Sequence, residues 1–202
     1  MIIREITPYK NGKVKVCLQH GADFMLYKKE AKTYELEADH DLSQELYEQI
    51  LTEVLSPRAK KRAMYLLEKM DRSQRQLEDK LRDNGYPPEA VEAAIEYVKS
   101  YHYIDDERLA RTYIRFYQES RSKMRITQDL LKKGVSKDII EIALQEEFEH
   151  SELEMIENLL AKKKYDRELA TMEEQAKMYR FLMGRGFKSS DISHALRGEY
   201  LT

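Results

Sequence analysis

The chain has 202 residues, 36% of them charged, a net charge of -2 and a single cysteine. That length is ample for a buried core, and abundant charge with little glycine or proline points to a helical protein rather than a sheet protein. A lone Cys17 excludes an internal disulfide, no apolar run approaches the roughly 18 residues of a membrane span, and the N-terminus lacks a signal-like apolar region, so a soluble cytoplasmic protein without a membrane role is expected.

Residues 1–56 read as a small module of strands and one helix. Val14, Val16 and Leu18 alternate with Lys13, Lys15 and Cys17, and Asn11-Gly12 and His20-Gly21 are turn signals. Residues 2–6, 13–19 and 23–27 are therefore predicted strands. After Asp41 the period changes: Leu42, Leu46, Ile50 and Leu51 recur at helical spacing, and Pro57 is expected to stop that helix.

From Arg58 onward the chain repeats itself. Leu81-x3-Gly85-Tyr86, Leu130-x3-Gly134-Val135 and Leu182-x3-Gly186-Phe187 superpose, their glycines 49 and 52 residues apart. The same alignment stacks Leu77, Ile126 and Met178 upstream. Downstream it stacks Val91, Ile140 and Ile192, then Ala94-Ile95, Ala143-Leu144 and Ala195-Leu196. Self-similarity at this period marks one supersecondary unit used repeatedly. Ser73 with Gln76, Ser151 with Glu154 and Thr171 with Glu174 have capping-box spacing. Asp105, Asp106 and Glu107 suit the start of a helix. The glycines fit left-handed helix ends, with the next apolar residue folded back on the helix it follows. Pro87-Pro88, Ser136 and Ser189 then open a third helix in each unit. The expected fold is mainly α: three tandem three-helix repeats over 57–100, 101–150 and 151–202, in an elongated, gently curved array behind the β-strand and helix module.

Charge is patterned within that array. Residues 1–56 are net acidic and residues 57–100 net basic. On a wheel of 100° per residue, Leu109, Ala110, Tyr113, Ile114, Phe116 and Tyr117 share one arc, with Arg108, Arg111 and Arg115 opposite. In the preceding repeat Ala59, Ala63, Leu66, Leu67 and Met70 face inward, and Arg58, Lys61, Arg62 and Lys69 face outward. Arg121, Lys123 and Arg125 add a basic turn, and Lys132 and Lys133 end the next helix. A solvated face explains any one stripe; two in succession suggest an anionic partner. Repeat three breaks the pattern, with Glu154 and Glu157 toward solvent and lysines 162–164 at a helix C-terminus, where the dipole favours cations. Tyr113, Phe116 and Tyr117 read as core, while Tyr101 and Tyr103 are left open between packing and stacking on unpaired bases.

Catalytic constellations are missing. The histidines His20, His40, His102, His150 and His194 show no ligand spacing, and capping rather than metal binding suits Asp105 and Asp106. Gly184-Arg185-Gly186 follows no strand and has no third glycine. Neither a phosphate loop nor a nucleophile context is present. The chain is expected not to be an enzyme and to need no cofactor or metal.

Tyr103-Ile104-Asp105-Asp106-Glu107-Arg108-Leu109-Ala110, followed by Arg125-Ile126-x3-Leu130-x2-Lys133-Gly134-Val135, resembles the signature of the RecX family. Arg72-Ser73-x3-Leu77-x3-Leu81-x3-Gly85-Tyr86 and Arg185-Gly186-Phe187 match the same repeated pattern. The likeness covers 57–202 well and the first module loosely; His102 stands where the family often has glycine, and Leu109 where phenylalanine is common. The resemblance implies a monomeric regulator of the RecA recombinase in homologous recombination, DNA repair and the SOS response. Such a regulator binds the groove of the RecA–single-stranded DNA filament, inhibits ATP hydrolysis and strand exchange, and affects filament assembly, with contact to single- or double-stranded DNA conceivable. The twelve basic residues from Arg58 to Lys133 named above are the expected contact surface. Two other readings stay open: a helix-turn-helix DNA reader, against which Glu92 and Glu96 on the helix over 89–99 argue, and a protein-only scaffold.

Overall fold

Alternation in the first module resolves into an antiparallel sheet. In the computed structural model, which describes residues 1–198, β1 (Ile3–Pro8), β2 (Lys13–Leu18) and β3 (Phe24–Tyr27) lie in the order β1-β2-β3. Val14 pairs with Leu26 and Val16 with Phe24, and all four are buried; such apolar cross-strand pairs are what stabilise a small sheet. A short helix α1 (Lys28–Thr33), absent from the sequence reading, follows β3 directly, with Glu30 accepting from the Tyr27 amide at 2.8 Å.

The helix α2 (Gln44–Ile50) starts at its Ser43 cap, but Pro57 does not stop it. Residues 51–55 widen into a π-helical turn in which the Ser56 amide reaches the Leu51 carbonyl, and α3 (Ser56–Lys69) continues with Pro57 in its first turn. Proline lacks an amide donor, and its ring would crowd the carbonyl four residues back in a regular helix. The wider turn accommodates both defects.

Each repeat contains three helices: α3, α4 (Gln74–Asp83) and α5 (Pro88–Ser100); α6 (Asp106–Tyr117), α7 (Lys123–Lys133) and α8 (Lys137–Glu147); α9 (Glu152–Lys162), α10 (Met172–Met183) and α11 (Ser189–Arg197). The last four residues of the third predicted repeat lie outside the described residues. Gly85, Gly134 and Gly186 take φ of 82°, 85° and 86°. In the first two repeats the Leu-x3-Gly pattern is a Schellman motif. Tyr86 donates to the Leu81 carbonyl and Gly85 to that of Arg82, and Val135 and Gly134 do the same to Leu130 and Leu131. Val135 and Phe187 are buried and Tyr86 packs on its core, as the fold-back requires. The superposed positions Leu77, Leu81, Ile126, Leu130, Leu182, Val91, Ile140 and Ile192 are all buried.

Three local expectations fail. The Ser73–Gln76 and Thr171–Glu174 boxes form, but Ser151 makes no side-chain cap, and Glu152 instead accepts from the Lys123 amide at 2.9 Å. Met70 lies past the end of α3 with an extended backbone and is 54% exposed. Phe116 is 76% exposed rather than core. Ala110 and Ile114 centre the buried face of α6, and Phe116 stands about 140° from that centre at 100° per residue, beyond what the neighbouring helices cover.

The chain divides into two compact units, 1–105 and from Asp106 onward. In the first, the sheet packs with repeat one: the Met25 amide donates to the Gly85 carbonyl at 3.2 Å, and the Met25 side chain fills the space where a Gly85 Cβ would lie. Tyr47 of α2 donates to Glu89 of α5 at 3.2 Å and meets Phe24 edge-on. In the second unit repeats two and three share one core. Ser122, fully buried, donates its hydroxyl to the Gly186 carbonyl at 2.6 Å and its amide to that of Arg185 at 3.1 Å, and it accepts from the Arg125 amide at 3.1 Å.

Two predictions follow from these contacts. A Cβ at Gly186 would lie 2.7 Å from both Ser122 Oγ and Arg125 Cβ at a left-handed φ, so Gly186→Ala should cost about 2–4 kcal/mol, combining backbone strain with a clash. Gly12→Ala, equally left-handed but with open space around it, should cost only about 1–2 kcal/mol. Chemical denaturation separates the two. Burial first, then Glu89, pushes the Tyr47 phenol up from 10.0 to about 12. Its contribution to stability is full below pH 10 and is lost as the pH rises through about 12. A phenolate absorbance titration should show a component ionising near pH 12 that Tyr47→Phe removes.

Candidate interaction surface

Helix α6 was expected to offer a row of arginines to solvent. Arg108 and Arg115 are exposed and Arg111 is half-buried, and Arg111 and Arg115 are also engaged in ion pairs within the unit. Arg111 Nε donates to Glu146 at 2.9 Å and a second nitrogen lies 3.5 Å from Glu107. Arg115 grips Glu147 with two nitrogens, Nη2 to Oε1 at 2.6 Å. Those hydrogen bonds hold both guanidiniums more firmly protonated and pull the Glu147 carboxyl below its usual range. The partners were legible in outline. Two consecutive glutamates end α8, where the helix dipole disfavours acids, which signals that an outside cation answers them.

The basic turn after α6 is denser. Arg121 Nη1 donates to Asp129 at 2.7 Å and to the Tyr113 hydroxyl at 2.8 Å, and its guanidinium lies 3.7 Å above the Tyr117 ring. Arg125 Nε is 3.3 Å from the same Asp129, one helical turn away on α7. Arg185, which the wheel analysis passed over, stacks 3.6 Å above Phe181 and donates to the Phe181 carbonyl. Burial and then the charge of Arg121 push its pKa down, so the two guanidiniums feel each other. Two arginines thus share one carboxylate, with Arg185 close enough to feel the charge of Arg121, leaving excess positive charge. Rigid, weakly hydrated guanidiniums on aromatic faces are suited to carboxylate or phosphate. Lys123 lies 4.9 Å above Phe148, Lys133 5.4 Å above Tyr113, and Lys132 is exposed beside it on α7.

In the first unit, Arg58 is paired with Glu30 and lies over Tyr27, and Arg62 donates to Asn84 at 2.8 Å. Lys61 and Lys69 are exposed. The outward patch of α3 therefore rests on its lysines. Among the described residues no group of three His, Cys, Asp or Glu side chains could hold a metal, and no helix is long and apolar enough to cross a membrane.

Three family descriptions match the chain in order: RecX, first three-helix domain, over 59–97; second, over 105–144; third, over 150–196. The regulatory protein RecX of Caldanaerobacter subterraneus subsp. tengcongensis is 32% identical over 163 residues, 80% of either chain. That of Vibrio campbellii is 34% identical over 160 residues, 76% of this chain and 98% of its own. A crystal structure of regulatory protein RecX shares the fold with a TM-score of 0.57 at 22% identity, covering 98% of this chain and 99% of that one. RecX from Lactobacillus salivarius gives 0.53 at 21% identity, covering 72% and 96%.

The Arg115–Glu147 bridge is testable by charge exchange. Arg115→Glu should lower the melting temperature by setting two carboxylates together, and R115E/E147R should restore it. The wild-type bridge contributes above the ordinary carboxylate range, because Glu147 is held below it, and is lost on acidification. The melting difference between wild type and Arg115→Glu should accordingly shrink as the pH falls.

Proposed function

The chain belongs to the RecX family, and on that premise we propose that it is a non-catalytic cytoplasmic regulator that binds the RecA–single-stranded DNA filament and inhibits its ATP hydrolysis and strand exchange. The observation that carries the reading to particular residues is the pairing of Arg121 and Arg125 with Asp129, with Arg185 close enough to feel the charge of Arg121, a preorganised cationic site. Acidic protein side chains or phosphates in a filament groove would meet it without the cost of ordering flexible lysines. Lys123 and Lys132 extend the positive field and speed encounter, an effect that falls with ionic strength. Arg111 and Arg115 serve in this reading to join α6 to α8, supporting the surface rather than contacting the partner.

The assay is titration into preformed RecA filaments while ATP hydrolysis is followed. Wild-type protein should inhibit at stoichiometric amounts; no effect would overturn the proposal. Arg185→Glu should weaken inhibition on the order of tenfold, the loss of one charge-assisted contact, with unchanged helical circular dichroism. R115E/E147R should inhibit like wild type, because the swap keeps the bridge.

A further inference from the structure

We infer that the turn between α9 and α10 is a docking site for a protein segment in which large apolar side chains are flanked by carboxylates. Leu169 and Met172 are 80% and 88% exposed, the highest values for large apolar side chains among the described residues. One apolar residue in water is ordinary. Two on a single turn whose backbone is held in place are not accounted for by a loose chain.

The turn is tied from several sides. Asp166 accepts from the Glu168 and Leu169 amides at 2.9 and 3.2 Å, and its carbonyl accepts from the Ala170 amide at 3.0 Å. Arg167 donates to the Ala195 carbonyl of α11 at 2.8 Å and pairs with Glu157 of α9. Helix α9 ends with the same two hydrogen bonds as the first glycine-terminated helices, Tyr165 to the Leu160 carbonyl and Lys164 to that of Ala161. The left-handed position carries Lys164, at φ 53°, instead of glycine. A residue with a side chain adopts that conformation at a cost, and such outliers gather at functional sites.

Leu169 borders an open pocket of about 400 Å³ whose apolar lining includes the half-buried Tyr165, Met178 and Phe181, room enough for a leucine or phenylalanine side chain. Lys163, Lys164 and Lys177 line the same pocket. Lys163 lies 5.2 Å above Phe181, and none of these lysines is in an ion pair among the described residues. The lining carboxylates are already committed, Asp166 to the turn and Glu174 to the Thr171 amide and hydroxyl at 2.9 and 3.0 Å. An apolar pocket rimmed by uncompensated cations is complementary to an apolar side chain with negative charge beside it. A second copy of the chain would set the same lysines against these, and like charge disfavours that pairing. Phe181 also carries Arg185, so the pocket adjoins the cationic site proposed above, yet its test needs no recombinase and can fail by itself.

The test uses the full chain and a fluorescein-labelled synthetic peptide alternating aspartate with leucine and phenylalanine, followed by anisotropy without recombinase or DNA. The peptide should bind, more weakly as salt rises, and about tenfold or more tighter than its counterpart with alanine at the apolar positions. L169A/M172A should lose about tenfold in affinity with an unchanged melting temperature, since neither side chain is packed in the free protein. K164E/K177E should bind this peptide about tenfold more weakly and gain affinity for one with lysine in place of aspartate. Lys164→Gly should melt higher, its backbone strain relieved, and bind more weakly, an opposition that a purely structural role would not give. No binding at low salt, equal binding of the alanine peptide, or L169A/M172A binding like wild type would each overturn the proposal. So would sedimentation showing a self-associated protein that L169A/M172A makes monomeric, which would assign the face to a second copy.

Discussion

Each middle helix in this protein is followed by a glycine at positive φ, and in the first two repeats the backbone reversal there lets two successive amides answer two of the helix's last carbonyls. Glycine makes that reversal at little steric cost. The geometry then follows outward. The residue after the glycine is returned to the helix it has just left, so Val135 and Phe187 become buried. The chain is aimed at the start of the next helix, and an apolar ridge from Leu77, Ile126 and their equivalents is closed by Val91, Ile140 and Ile192. A side chain at the glycine would strain the backbone. At Gly85 and Gly186 it would also collide with whatever covers the turn, Met25 in one case and Ser122 with Arg125 in the other.

What could be read from the sequence was what local chemistry decides. Helix ends, two of three capping boxes and the buried ridge depend on residues within one or two turns of each other. The failures come from local backbone adjustment in one case and from partners far along the chain in others. Pro57 is a sound stop signal in isolation, yet a π-helical turn upstream lets the helix run on. Phe116 belongs to an apolar arc on the wheel, but an arc has no edge until neighbouring helices define one. The ion pairs of Arg111 and Arg115 could not be read from α6 alone, because Glu146 and Glu147 lie 35 and 32 residues away. Arg185 was read only as part of a turn motif for the opposite reason: it belongs to no stripe, and only the fold brings it near Arg121.

The charge on this surface is accordingly more structured than its residue count suggests. Most arginines are committed to a carboxylate or an aromatic ring, and Arg58 and Arg121 to both, which holds planar groups in fixed directions. The lysines are less constrained, Lys61, Lys69 and Lys132 among them, and contribute field more than geometry. A near-neutral total conceals this division. Glu146 and Glu147 contribute to it, sitting at the end of α8 where they answer Arg111 and Arg115 of α6.

Gly85 and Gly186 occupy matching places in their repeats, yet different things press on them. Repeat three is met there by the start of α7, from the repeat before it. Repeat one has no preceding repeat in the chain, and a β-strand of the first module takes that place, with Met25 covering the glycine and donating to its carbonyl. Repeat proteins need end pieces that stop further stacking and keep apolar faces from water. The sheet is such an end piece. With Met25 seated on Gly85, another copy of the unit could not cover that turn in the way that α7 covers Gly186.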